Sequence, residues 1–174
     1  MGRREILVAI LSIASILCFA GSSSAFSRTD TLRGIEGIEI LIEEFKPEVE
    51  DFISVLQAQT DLEGKLRQAG IRILTKEENE KLQPQRKPYL YVKITAYKPP
   101  ARRDVLAFNA EMSLKQQVRL NSCRENPDAV FYSPTWYKNS VSVVTLRNAG
   151  EIKNVLDDLT EKFIKAYITA KAKK

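Results

Sequence analysis

The sequence predicts an α+β domain, in which a mainly antiparallel sheet of about five strands is covered on one face by two long helices. Apolar and polar residues alternate along Tyr89–Lys98 and Leu106–Leu120, which is typical of strands with one buried and one wet face. Apolar residues recur at helical spacing in Glu48–Ala69 and again in Glu151–Ala170. Packing both helices on the dry face of the sheet buries every apolar surface in two layers, so the expected order is β-α-β-β-β-β-α.

The other strands are shorter or less regular. Gly37–Glu43 places three isoleucines on one face, and Ile71–Leu74 follows a glycine, Gly70, that is suited to a left-handed helix cap. The last strand region runs from 129 to 144 and is expected to be broken or bulged near Pro134. The polar stretch 76–87 is predicted to be a loop with at most one helical turn.

Each predicted helix has one apolar stripe. In the first helix the stripe consists of Val49, Phe52, Ile53, Leu56, Leu62 and Leu66. In the closing helix it consists of Ile152, Val155, Leu156, Leu159, Phe163 and Ile164. The middle of the first helix, Gln57–Asp61, is weakly amphipathic, so a break there, capped by Thr60 or Asp61, is an open alternative.

The N-terminal segment 1–25 has the layout of a secretory signal peptide. Arg3 and Arg4 precede an apolar run from Ile6 to Ala20, and small residues then lead to a cut predicted after Ala25. We therefore expect an exported protein, periplasmic or secreted, with no transmembrane span in the mature chain, because the apolar run is shorter than the ~20 residues of a membrane helix. An uncleaved anchor is the alternative.

The remaining chain divides into three parts. Residues 26–33 are predicted to be a flexible lead-in, 34–170 a single domain and 171–174 a basic tail. Removing residues 1–25 takes away two arginines and one glutamate, which leaves 25 basic against 21 acidic residues, a net charge of +4. This mild excess favours solubility and does not predict a nucleic-acid partner.

Several kinds of chemistry are absent from the sequence. It contains no histidine, which excludes the usual Ser-His-Asp and Cys-His nucleophilic sites. The acidic residues between Glu43 and Asp51 lack the spacing of a calcium loop. Because no catalytic or cofactor motif is present either, we predict no metal, no cofactor and no enzyme activity. Cys18 lies in the leader, so Cys123 has no partner for an internal disulfide and is an incidental thiol, an intermolecular bridge or a reactive site.

Aromatic residues supply the candidate binding surface. Phe131, Tyr132, Trp136 and Tyr137 cluster around a proline, where they either fill the core or form a binding patch. Along the expected wet face of the sheet lie Tyr89, Tyr91, Lys93, Tyr97, Lys115, Gln117 and Arg119. A peripheral contact with anionic lipid through Arg102, Arg103, Lys165 and the basic tail is a further hypothesis.

The helix, cap and strand unit Leu66–Ile73, the long sheet and the closing helix resemble small exported bacterial proteins. The element order is similar to that of two-layer envelope modules, among them the N-terminal domain of TolB and the LptE-type assembly proteins. The likeness covers most of the mature chain as topology and matches no motif residue by residue. LptE-type proteins carry a lipidated N-terminal cysteine, whereas Leu17 before Cys18 does not fit a lipidation signal.

The resemblance implies a role in binding or assembly in the cell envelope. We therefore expect a non-enzymatic module that binds an envelope protein or another envelope component. The alternative is a periplasmic carrier of a lipid or another small apolar ligand, which requires a sizeable apolar cavity between helices and sheet. A solid core with an exposed aromatic patch favours the binding module over the carrier.

Overall fold

A computed structural model describes residues 30–82, 87–119 and 130–172. The predicted leader 1–25, the first residues of the lead-in and Cys123 lie outside the described residues. The strands are β1 Glu39–Ile42, β2 Tyr89–Tyr97, β3 Val105–Arg119 and β4 Val130–Thr145. The helices are α1 Pro47–Glu50, α2 Val55–Gln68, α3 Lys76–Glu80 and α4 Glu151–Ala172. Short 3-10 turns form at Asp30–Leu32 and Leu146–Asn148.

The described sheet is mixed and has four strands in the order β1-β2-β3-β4. β1 runs parallel to β2, and the other neighbours are antiparallel. The α+β class is confirmed, but the expectation of five strands is wrong. The stretch Ile71–Leu74 forms only a single parallel bridge, between Ile73 and Ile38, because Thr75 immediately begins the capping box of α3.

The first predicted helix is two helices. α1 ends at Glu50, and Ser54 then begins α2 by accepting a hydrogen bond from the Gln57 backbone N–H. The break therefore lies before the weakly amphipathic segment that the sequence singled out. Gly70 follows the end of α2 as the predicted cap, with a φ of +75°, and the backbone N–H of Ile71 donates to the carbonyl of Leu66.

The core lies between the sheet and the two long helices. The sheet contributes Leu90, Val92, Ile94, Leu106, Phe108, Ala110, Met112, Leu114 and Trp136. The helices contribute Ala58, Leu62, Leu66, Ile152, Leu156, Leu159, Phe163 and Tyr167. Two ion pairs join the helices above this core: Lys65 to Asp157 at 2.9 Å and Lys153 to Asp61 at 2.6 Å. Because these pairs are partly exposed, they align the helices more than they stabilise them.

A bulge in β4 anchors the start of the described chain. Leu114 pairs with Trp136 and Lys115 with Pro134, so Thr135 is the extra residue. The Gln116 amide donates to the carbonyl of Thr31 and to the hydroxyl of Thr135, and Leu32 is buried in the core. The predicted flexible lead-in 26–33 is therefore wrong at its C-terminal end, since residues from 30 onwards are packed against β4.

The C-terminal boundary also moves. Lys171 and Ala172 belong to α4, so the helix extends two residues into the predicted basic tail. No helix in the described ranges is both long enough and apolar enough to cross a membrane.

Candidate functional site

The face of the sheet opposite the helices, called here the open face, carries the candidate site. It consists of the odd-numbered residues of β1 to β3, and of β4 from Tyr137 onwards. The Thr135 bulge reverses the alternation along β4, so the even-numbered Tyr132 lies on this face as well. One cross-strand row therefore runs Leu41, Tyr91, Ser113, Tyr137.

Tyr91 lies at the centre of a polar cluster. Its hydroxyl donates a hydrogen bond to the Glu43 carboxylate, which also pairs with the Lys93 ammonium at 3.1 Å. The bond to Glu43, followed by burial, raises the pKa of Tyr91 to about 12. The same bond, followed by that from Lys93, lowers the pKa of Glu43. At neutral pH the pair is thus a neutral phenol donating to a carboxylate.

Lys115 lies above the tyrosine rings. Its ammonium nitrogen is 3.6 Å from the centroid of Tyr91 and 5.9 Å from that of Tyr89, which is cation–π geometry. The Tyr89 ring also contacts Tyr132, with centroids 5.2 Å apart and a tilt of 56°. Burial, followed by the nearness of Tyr132, raises the pKa of Tyr89. Three tyrosines and one lysine therefore form a continuous aromatic and cationic surface.

Tyr137 extends this surface onto the edge strand. Its hydroxyl lies 3.5 Å from the Glu111 carboxylate, and its side chain is 37% exposed. Between Tyr91 and Tyr137 in the same row lies Ser113, which is fully buried. The Ser113 hydroxyl has no hydrogen-bond partner among the described residues. The two tyrosines thus flank a small, buried serine.

The structure divides the six predicted surface aromatics. Tyr89, Tyr91, Tyr132 and Tyr137 come together on the open face, as the alternation of the strands indicates. Trp136 does not join them: it is 4% exposed and packs edge-on against Phe163, with centroids 5.1 Å apart. Trp136 therefore does not belong to the candidate surface, because it lies beside Leu114 on the side of the sheet that the long helices cover.

Phe131 also leaves the open face. It pairs with Val118 beyond the bulge and is 40% exposed on the opposite side of the hairpin. The predicted reactive thiol, Cys123, lies outside the described residues, and its role stays a prediction.

The basic residues considered for lipid contact lie apart. Arg102 precedes β3 at the end of the sheet where Thr145 pairs with Val105, and it is paired with Asp104 at 3.1 Å. Lys165 lies towards the other end, two residues after the Phe163 that contacts Trp136. Contact with an anionic surface would therefore engage one group or the other.

Glu43 is the participant that the sequence did not single out. It was grouped with the acidic residues up to Asp51, whereas the structure gives it a specific role as the acceptor for Tyr91 and Lys93. The alternation of β1 continues through Glu39, Leu41 and Glu43, and this was the available signal that Glu43 lies beside the tyrosines.

The open face offers phenol and ammonium donors, carboxylate acceptors and aromatic rings. The Tyr91 hydroxyl donates its proton to Glu43, so towards a ligand it is a hydrogen-bond acceptor. No known protein-family model matches this chain, and no curated protein matches it in sequence.

Proposed function

We propose that this protein is an exported, non-enzymatic binding module of the cell envelope, and that its open face binds an envelope protein. The observation that carries the proposal is the group of four tyrosines with Lys115 on the sheet face opposite the two long helices. Export itself is the expectation from residues 1–25.

The chemistry of the open face supports binding. Tyrosine buries a large ring while losing little conformational freedom, and its hydroxyl satisfies polar groups of a partner. Tyr91, Glu43 and Lys93 hold one another in place, so part of the ordering cost of binding is already met in the free protein. Of the four tyrosines, Tyr132 and Tyr137 are the most exposed, at 41% and 37%.

The size of the interior cavity argues against the carrier hypothesis. The cavity between the helices and the sheet is lined by Ile42, Ile53, Leu62, Val92, Met112 and Leu156, among others. It measures about 10 Å³, roughly the space of one water molecule. A carrier of small apolar ligands needs on the order of 300–1,000 Å³.

Site-specific photo-crosslinking in cells that make this protein tests the proposal. A photoreactive phenylalanine analogue is placed at Tyr137 on the open face and, in a separate variant, at Leu56 on the outer side of α2. Leu56 is 75% exposed and serves as the matched control. We expect one envelope protein to be captured from position 137 and not from position 56.

A second variant tests whether Tyr132 contributes to the same interface. Tyr132→Ala, combined with the photoreactive group at position 137, should lower capture by roughly ten-fold if Tyr132 contributes to the interface. Equal capture from positions 137 and 56 would contradict the proposal. Recovery of lipid alone by mass spectrometry would also contradict it and would favour the carrier hypothesis.

A further inference from the structure

The outer edge of β4 is a long strand edge with little protection. β4 is the last strand of the described sheet, and its sixteen residues include one charge, that of Lys138. Native proteins usually protect such an edge with charges, prolines, bulges or a covering segment. In β4 the proline, the bulge and the Thr31 contact all lie at or before Thr135. Among the described residues, none of these features lies on the segment Asn139–Thr145.

The direction of the free backbone groups follows from the register. The backbone N–H of Leu146 donates to the carbonyl of Asp104, its direct partner in the β3–β4 register. Even-numbered residues in this part of β4 therefore bond to β3. The N–H and C=O groups of Asn139, Val141, Val143 and Thr145 point away from the sheet, ready to pair with another strand.

Two of these four residues are valines whose exposed side chains lie on the open face. Val141 and Val143 are 72% and 67% exposed, the highest values among the large hydrophobic residues of the described strands. Two exposed valines on an unpaired edge are a marker of strand pairing with another chain.

We propose that two copies of this chain associate through antiparallel pairing of their Asn139–Thr145 segments, with a two-fold axis at Ser142. This register places Val141 of each copy opposite Val143 of the other, and Asn139 opposite Thr145. Apolar residues thus face apolar residues and polar face polar, which is the favourable cross-strand arrangement. Moving the axis to Val141 would instead set Val143 opposite Asn139.

Charge also fits a second copy. The paired segments hold no charge, so no like charges face each other across the axis. Lys138 of one copy lies opposite Leu146 of the other, whose next neighbour in the same row is Asp104, a carboxylate that is exposed and also pairs with Arg102. Two strand spacings are about 10 Å, which a lysine and an aspartate side chain can span together.

The pairing joins two four-stranded sheets into one continuous sheet. Four directly opposed pairs exchange two backbone bonds each, or about eight bonds in all. This contact is small by the standard of stable dimers, so we expect a dissociation constant in the micromolar range. Because the axis is perpendicular to the sheet, both open faces lie on the same side. The inference does not depend on what binds the open face.

Cysteine crosslinking tests both the dimer and its register. In the full chain carrying Cys18→Ser and Cys123→Ser, Ser142→Cys places two thiols across the axis in a non-hydrogen-bonded pair, about 4.5 Å apart at Cα, which a disulfide can bridge. Ser140→Cys is the matched control, because residue 140 is similarly half-buried on the same side of β4, but its two copies would be about 13 Å apart. Under mild oxidation we expect at least ten-fold more covalent dimer from Ser142→Cys.

Sedimentation without crosslinking supplies the independent measurement. The native chain should change from monomer to dimer as its concentration rises through roughly 100 µM. Val141→Lys should remain monomeric, with an unchanged circular dichroism spectrum, because position 141 is exposed in the single copy. A native chain that stays monomeric over this range overturns the proposal. Equal crosslinking from positions 140 and 142, or none from either, also overturns it.

Discussion

The Tyr91 hydroxyl and the Glu43 carboxylate shift each other's pKa in opposite directions. The pKa of Glu43 is lowered from its ordinary 4.5, and that of Tyr91 is raised from 10.0 to about 12. A lowered carboxyl pKa gives stability that is present above the unfolded value and lost as pH falls through the folded one. A raised phenol pKa gives stability that is present below the unfolded value and lost as pH rises through the folded one. The bond therefore stabilises the fold fully between about pH 5 and 10.

Replacing Tyr91 by Phe tests this coupling. Tyr91→Phe removes the largest cause of the shift, so the Glu43 pKa should rise towards 4.5, although the Lys93 contact keeps it somewhat low. NMR titration of the Glu43 side-chain carboxyl measures the change. Tyr97→Phe, on the same strand and face but 61% exposed, is the control and should leave the Glu43 titration unmoved. An unchanged Glu43 pKa in Tyr91→Phe would show that the bond does not form in solution.

Neighbouring aromatics in β4 should differ sharply in their contribution to stability. Trp136 is buried against Phe163, so Trp136→Ala should lower the free energy of unfolding by about 3–5 kcal/mol. Tyr137 is partly exposed on the open face, so Tyr137→Ala should cost about 1 kcal/mol or less. Urea denaturation followed by circular dichroism compares the two variants. Similar losses would mean that Tyr137 is a structural residue and would weaken its place in the binding surface.

At the scale of elements, one glycine inside α2 and one just after its end should respond in opposite ways to replacement by alanine. Gly64 lies inside the helix, and Gly70 follows its end with a φ of +75°. A Cβ at either position would meet no atom within 4 Å, so only the backbone distinguishes them. Gly64→Ala should stabilise the protein by about 0.5–1 kcal/mol. Gly70→Ala should destabilise it by about 1–2 kcal/mol. Thermal denaturation of both variants decides this, and shifts of the same sign would contradict the assigned cap.

Periodicity predicts the long elements well, but it does not predict the single bridge at Ile73 or the helix break at Ser54. β2, β3 and α4 were placed to within about a residue or two at most of their described ends because many residues repeat each pattern. Ile71–Leu74 has strand composition, but Thr75 begins a helix before a second bridge can form. The break at Ser54 was missed because Phe52 and Ile53 continue the helical spacing of apolar residues across it, and only the cap of Ser54 marks the new start.

The candidate surface could be predicted where alternation alone decides orientation. Tyr89 and Tyr91 were assigned to the wet face because β2 alternates without interruption. In β4 the sequence leaves Trp136 open between core and surface, because a bulge shifts the alternation by one residue and the sequence does not say which residue bulges. Glu43 was missed because its partners, Tyr91 and Lys93, lie about 50 residues away in the sequence and meet it only through the parallel pairing of β1 with β2.

At the scale of the whole molecule, one core is shared by both long helices and the sheet. Leu62 of α2 and Leu159 of α4 belong to the same buried cluster as Trp136 and Met112. The buried apolar side chains of the helices pack against those of the sheet. We therefore expect the helices and the sheet to unfold together. The open face contributes little to this core, so it can vary in surface chemistry without loss of the fold.

Cooperative unfolding is the consequence that can be measured. Trp136 is the only tryptophan, so its fluorescence reports the sheet and its contact with α4, while circular dichroism reports mainly the helices. Leu62→Ala and Leu159→Ala should each lower the free energy of unfolding by about 2–5 kcal/mol. The two signals should still change at the same urea concentration in each variant, because loss of a core contact in either helix destabilises the whole domain. If in Leu62→Ala the circular dichroism changed at lower urea than the fluorescence, α2 would be a separately unfolding unit, and the two-layer core would not be a single cooperative structure.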